Sequence, residues 1–166
     1  MTGRISVLVS RDLQTLIQAA ESLDREVAAQ NRKHTRANAE PIWKDEVAAR
    51  AVTPVQARVL ARTARVAVSN TNVTMKAAHI GKTGHGTPSD ALKAPAEFGA
   101  HADKRITQRS RSGTRYQRRL GKAFSRPRAR GYAFFPSVAE SGPRLVSLWM
   151  QTTMRTVAEV FERAGA

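Results

Sequence analysis

The chain has 166 residues, 41% of them apolar and 25% charged, which is enough for a real core and excludes disorder throughout. Cysteine is absent, so disulfide staples, thiolate nucleophiles and cysteine-based zinc sites are excluded, and no apolar run approaches the roughly 18 residues of a membrane span. Lysine and arginine number 28 against 13 acidic residues, a net charge of +15, and such a balance points to a polyanion: nucleic acid, an anionic membrane or an acidic protein.

The length predicts a single domain over 1–166. Aromatics are only 5%, so the core is expected to be mainly Ala, Val and Leu on helices. The apolar stretch within the first ten residues is too short for an export signal. A long helix is predicted from Ser10, an N-cap with Asp12 in the first turn. Leu13, Leu16, Ile17, Ala20, Leu23 and Val27 recur on one face of it. The stripe weakens over 31–38, where His34 and Thr35 occupy it, and Pro41 is expected to kink or divide the helix. Ile42, Trp43, Val47 and Val52 resume a helical face. The reading is one bent helix, or two consecutive ones, over 10–38 and 41–52.

After Thr53-Pro54 the period changes to two. Ala64, Val66 and Val68 alternate, as do Val73, Met75 and Ala77, and Asn70-Thr71-Asn72 forms a polar turn between them. That pattern predicts a β-hairpin. Residues 79–95 read as a flexible glycine-rich loop and 96–100 as a brief strand. Residues 101–131 show no sustained period beyond a short basic helix suggested by Tyr116, Leu120 and Phe124. Tyr132, Ala133, Phe134 and Phe135 read as an aromatic strand closed by Pro136. A long C-terminal helix follows, capped either by a Ser137–Glu140 box or by Ser141 with Pro143 in the first turn. Leu145, Leu148, Trp149, Thr152, Thr156, Val160 and Phe161 form its apolar stripe. Trp43 and Trp149 are expected in the core. The order implies an α+β fold, with two long helices packed on a small antiparallel sheet that carries a hairpin and long loops.

The charge is concentrated. Residues 1–50 hold eight basic and seven acidic residues, and 143–166 are nearly balanced. Residues 101–131 hold eleven basic residues against Asp103 alone, a net +10. These are Lys104, Arg105, Arg109, Arg111, Arg115, Arg118, Arg119, Lys122, Arg126, Arg128 and Arg130, and they mark a basic arm or insertion within the domain. A solvated loop is the bland alternative. Arginine predominates, though, and its bidentate fork suits phosphate or carboxylate better than mere solubility requires. No helix-turn-helix, zinc-finger or RNA-binding signature accompanies the arm, so base-specific readout is not expected.

No catalytic constellation emerges. Gly81-Lys82-Thr83 lacks the upstream glycine of a phosphate loop, since Lys76 stands there, and Gly84, Gly86 and Pro88 oppose a helix starting at the threonine. His79, His85 and His101 match no metal-ligand spacing. No serine sits in a nucleophile elbow. The expectation is therefore no enzyme, no catalytic or metal site, no cofactor and no small-molecule substrate.

Three further segments carry a family likeness. Val59-Leu60-Ala61-Arg62-Thr63-Ala64 leads into the hairpin, Ala96-Glu97-Phe98-Gly99-Ala100 has the form of a Glu-Phe-Gly strand end, and Phe134-Phe135-Pro136-Ser137-Val138 precedes the last helix. In this order, between two long helices, they resemble the small head–tail joining (neck or tail-completion) proteins of long-tailed bacteriophages. Two features depart from that pattern: Ala57-Arg58 stand where the family has a glycine, and 101–131 is longer and more basic. The resemblance implies a structural virion protein at the head–tail junction, assembled in the bacterial host cytoplasm. It implies a hexameric or dodecameric ring around the DNA channel, touching connector or stopper and tail proteins, with genomic DNA within reach and no membrane involved. Glu97, Phe98, Gly99, Phe135 and Pro136 are the motif positions. The alternatives are a tail-terminator ring capping the tail tube and a non-viral basic nucleic-acid-binding protein.

Overall fold

A computed structural model of the chain describes residues 2–4, 14–15, 17–18, 21, 23, 25–84, 86–110, 112–119 and 121–165. In chain order the elements are β1 (Thr2–Arg4), α1 (Arg25–Arg50), α2 (Pro54–Gln56) running into a π-helical turn (Ala57–Ala61), β2 (Arg65–Val68) and β3 (Val73–Lys76). Then come α3 (Ser89–Phe98), β4 (Arg105–Arg109), β5 (Arg115–Arg119), a 3₁₀ turn (Gly121–Ala123) and α4 (Phe134–Gly165). The fold is α+β. One antiparallel sheet has the order β1-β3-β2 and a second consists of β4 and β5. The two long helices, α1 and α4, pack on each other and on the first sheet.

Helix α1 turns Ala28, Asn31, Thr35, Ala39, Trp43 and Val47 inward, the three- and four-residue spacing of one helical face. Of the polar residues in the weakened stretch, His34 is exposed rather than on the inner face, Thr35 is buried, and Asn31 is buried and met by α4. Asn31 Nδ2 donates to Thr153 Oγ1 at 3.2 Å, and Thr156 Oγ1 donates to Asn31 Oδ1 at 3.5 Å. Helix α1 runs through Pro41 undivided. Pro41 lies on the exposed side, where water can serve the carbonyl that its missing N–H leaves unpaired. The expected start near Ser10 falls largely outside the described residues, although 14, 15, 17, 18 and 21 are helical.

The predicted hairpin is present, with Val66 opposite Met75 and Val68 opposite Val73. Val66 and Met75 point into the core. Strand β1, which the sequence reading did not anticipate, pairs with β3 from the other side. The core gathers Trp43, Phe134, Leu60, Met75, Leu145 and a set of alanines. Trp43 meets Phe134 edge-on at 5.3 Å and donates its indole N–H to the Lys76 carbonyl at 3.2 Å. Trp149 is also buried.

Five expectations are corrected. The loop assigned to 79–95 ends early and the strand at 96–100 is absent, because Ser89–Phe98 is a helix despite Pro95. The basic helix around Tyr116 is instead strand β5, paired along its length with β4. The aromatic strand at 132–135 is a bend followed by the first turn of α4. The caps at Ser137 and Ser141 fall inside that helix, which continues through Gly142 and Pro143. Ser137 Oγ donates to the Glu46 carbonyl across to α1, and Ser141 Oγ donates to the Ser137 carbonyl one turn back.

Candidate polyanion-binding ribbon and its anchor

Strands β4 and β5 form a two-stranded antiparallel ribbon with Arg105 opposite Arg119, Thr107 opposite Gln117 and Arg109 opposite Arg115. Side chains alternate along a strand, and directly paired residues share a face. One face therefore presents Arg105, Thr107, Arg109, Arg115, Gln117 and Arg119. The other carries Ile106, Tyr116 and Arg118. Every residue of β5 is exposed, and Arg105 and Arg109 are exposed as well. Like charges directly opposite destabilise a ladder, and this ribbon has two such pairs. Relief comes from an ion pair of Arg119 with Asp103 at 3.6 Å, which is solvent-facing on both sides and therefore weak.

The remaining predicted basic residues lie elsewhere. Lys104 precedes the ribbon and lines a groove of about 810 Å³ with Leu92, Phe98 and Ile106. Lys122 lies in the 3₁₀ turn, and Arg126, Arg128 and Arg130 follow on the returning chain. Arg111 lies outside the described residues. The sequence thus groups eleven cations as one arm. The structure brings four of them to one face and assigns three others to a segment that holds the arm in place.

That anchoring segment is tied down by backbone. The Ala100 N–H donates to the Ser125 carbonyl at 2.9 Å and the Arg128 N–H to the Phe98 carbonyl at 2.8 Å. Tyr132 Oη donates to the Arg126 carbonyl at 2.8 Å, and the Arg128 guanidinium lies over the Tyr132 ring at 5.4 Å. Gly99, at φ 74°, is needed here. A Cβ would stand 2.2 Å from the Arg126 carbonyl oxygen.

The two motif segments meet at this anchor. Glu97, with no solvent exposure, accepts the N–H groups of Ala133 at 3.2 Å, Phe134 at 2.7 Å and Phe135 at 3.0 Å. These are donors at the start of α4, so its carboxylate replaces the missing local cap and sits at the positive end of the helix dipole. The Glu97 carbonyl also accepts the Tyr132 N–H at 2.9 Å. The Phe98 ring lies 5.5 Å from Phe135, and a Cβ on Gly131 would stand 2.1 Å from Glu97 Oε1. Pro136, in the first turn of α4, forgoes an N–H that has no partner within the helix.

No local pattern marks Glu97 as this cap, because its partners lie 36 to 38 residues away. The ribbon did carry a signal. Two five-residue segments flank a polar connection containing Gly113, whose φ is 86°, but arginine at alternate positions hides the usual apolar period. The glycine loop is no phosphate loop, since the helix starts at Ser89, six residues beyond Thr83. His79 and His101 are exposed, and His85 lies outside the described residues. Among the described residues no group of three metal-ligating side chains occurs, and no helix is long and apolar enough to cross a membrane. The chain matches no protein-family model, no curated protein and no solved structure.

Proposed function

We propose that the chain is a structural head–tail joining protein of a tailed bacteriophage virion, working by ring assembly and docking rather than by chemistry. One observation carries the reading: two of the three segments of likeness form a single physical joint, with Glu97 and Phe98 ending a helix rather than the expected strand. Glu97 caps α4 through the backbone of 133–135, Phe98 packs on Phe135, and Gly99 admits the returning chain. Motifs that resemble a family by chance have no reason to meet in space, whereas motifs that define a shared joint do.

The surface supports the same reading. A body whose first fifty residues are almost neutral carries a projecting cationic ribbon, the form expected of a part that fits between others. In this role the copies surround the DNA channel between connector or stopper and tail. A tail terminator would share the ring and differ in what it docks on.

Mass photometry of the purified chain, alone and with connector and tail proteins, tests the proposal. Closed rings, or capture by a partner ring, are expected. A chain that stays monomeric and joins no virion component overturns it.

A further inference from the structure

We propose that the arginine face of the β4–β5 ribbon binds duplex DNA through its phosphates, with one arginine pair reaching each wall of a groove. This deepens the head–tail joining reading by naming what the ribbon meets, and rests on it only for where that DNA lies.

Geometry comes first. Arg105 and Arg119 form a pair at the ribbon's base, and Arg109 and Arg115 form a pair at its tip. Four residues separate the pairs along each strand, a span of roughly 14 Å. The major groove of B-form DNA is about 12 Å wide and admits a two-stranded ribbon. A ribbon laid across it brings each pair near one phosphate wall, and an extended guanidinium covers the small remainder.

Chemistry separates DNA from an acidic protein. The face presents four arginines with Thr107 and Gln117 and no apolar side chain. Protein interfaces are anchored by aromatic or aliphatic groups in a desolvated centre, and this face offers none. Protein–DNA interfaces are polar and strongly positive, and phosphate contacts position a protein without reading sequence. Among the described residues, the paired arginines have no ion pair apart from the exposed Asp103 contact. A row of phosphates supplies counter-charge and releases its own counterions in exchange.

The test uses the full chain and a fluorescein-labelled duplex of mixed sequence, titrated by anisotropy across a range of sodium chloride. Two variants of equal charge are compared. One is R105Q/R109Q/R115Q/R119Q on the ribbon, and the other is K33Q/R62Q/K82Q/R144Q at exposed sites elsewhere. Circular dichroism establishes that both keep the parent helicity. The proposal expects the ribbon variant to flatten the slope of log K against log salt by about 3.6, the value for four lost phosphate contacts, and the control to change it far less. Equal flattening in both variants would mean bulk charge alone and overturns the proposal. So does poly-L-glutamate displacing the duplex residue for phosphate, which would make the face a site for acidic protein. Ring formation, read separately by mass photometry, distinguishes the two readings. DNA binding through the ribbon by a chain that neither rings nor joins a partner ring sinks the head–tail reading alone, and intact rings with an inert ribbon sink this one alone.

Discussion

Glu97 is a carboxylate without solvent exposure whose charge is met by three backbone N–H groups at the start of α4. Removing it strands those donors in the interior, at about 1 kcal/mol or more each. Glu97→Ala should therefore lower stability by about 3 kcal/mol, or roughly 6–12 °C in Tm for a chain of this size. Glu97→Gln keeps one acceptor oxygen and should cost less. Gly131 offers a sharper check. Gly131→Ala alone suffers both a positive φ and overlap with the Glu97 carboxylate, whereas in the Glu97→Ala background only the φ strain remains. The double variant should be more stable than the two single costs predict, by about 1 kcal/mol or more. Additive costs in thermal melts would mean that the carboxylate does not occupy the space beside Gly131.

At the scale of elements, helix α1 carries a charge ladder in which Glu40 meets Lys44 at 2.6 Å and Arg36 at 3.2 Å. The hydrogen bond from Lys44, aided by Arg36, holds the Glu40 carboxyl below its ordinary value of 4.5. A depressed folded pKa contributes stability that is present above the unfolded value and lost as pH falls through the folded one. Such exposed pairs are modest, so Glu40→Gln should cost about 0.5 kcal/mol at neutral pH. The gap between parent and variant melts should close once the pH is well below 4.5. A gap that persists in acid would assign the cost to packing. The same scale explains what was legible in the sequence. The β2–β3 hairpin could be read because Val66, Val68, Val73 and Met75 alternate around a local polar turn. The C-terminal helix could be read from its stripe, although Phe161 stands exposed, and α1 from Trp43 and Val47; Val52 is exposed, and much of the stripe expected before Val27 lies outside the described residues. Helix α3 could not be read, since Pro95 interrupts a helix of only ten residues. The start of α4 reads as a strand in the sequence because its cap comes from Glu97, on another element, and the aromatic run Tyr132 to Phe135 is locally β-like. The arm's charge was plain in the sequence, but its division into a ribbon and an anchor depends on pairing that arginines conceal.

For the whole molecule, charge sets the terms of the proposed assembly. Each copy brings +15, and copies in the proposed ring would repel unless something screens or neutralises them. Raising salt from 0.1 to 1 M shortens the screening length from about 10 Å to about 3 Å. It should therefore increase the ring population of the bare chain. Duplex DNA should do the same at 0.1 M salt by direct neutralisation, and the ribbon variant lacking four arginines should need less salt and respond less to duplex. Ring assembly and DNA binding thus respond oppositely to salt, because one is opposed by the charge that drives the other. Mass photometry at both ionic strengths, with and without duplex, reads this directly. Rings that dissolve as salt rises would show that ion pairs between copies hold them, and the basic ribbon would then have its counter-charge on the neighbouring subunit rather than in the channel.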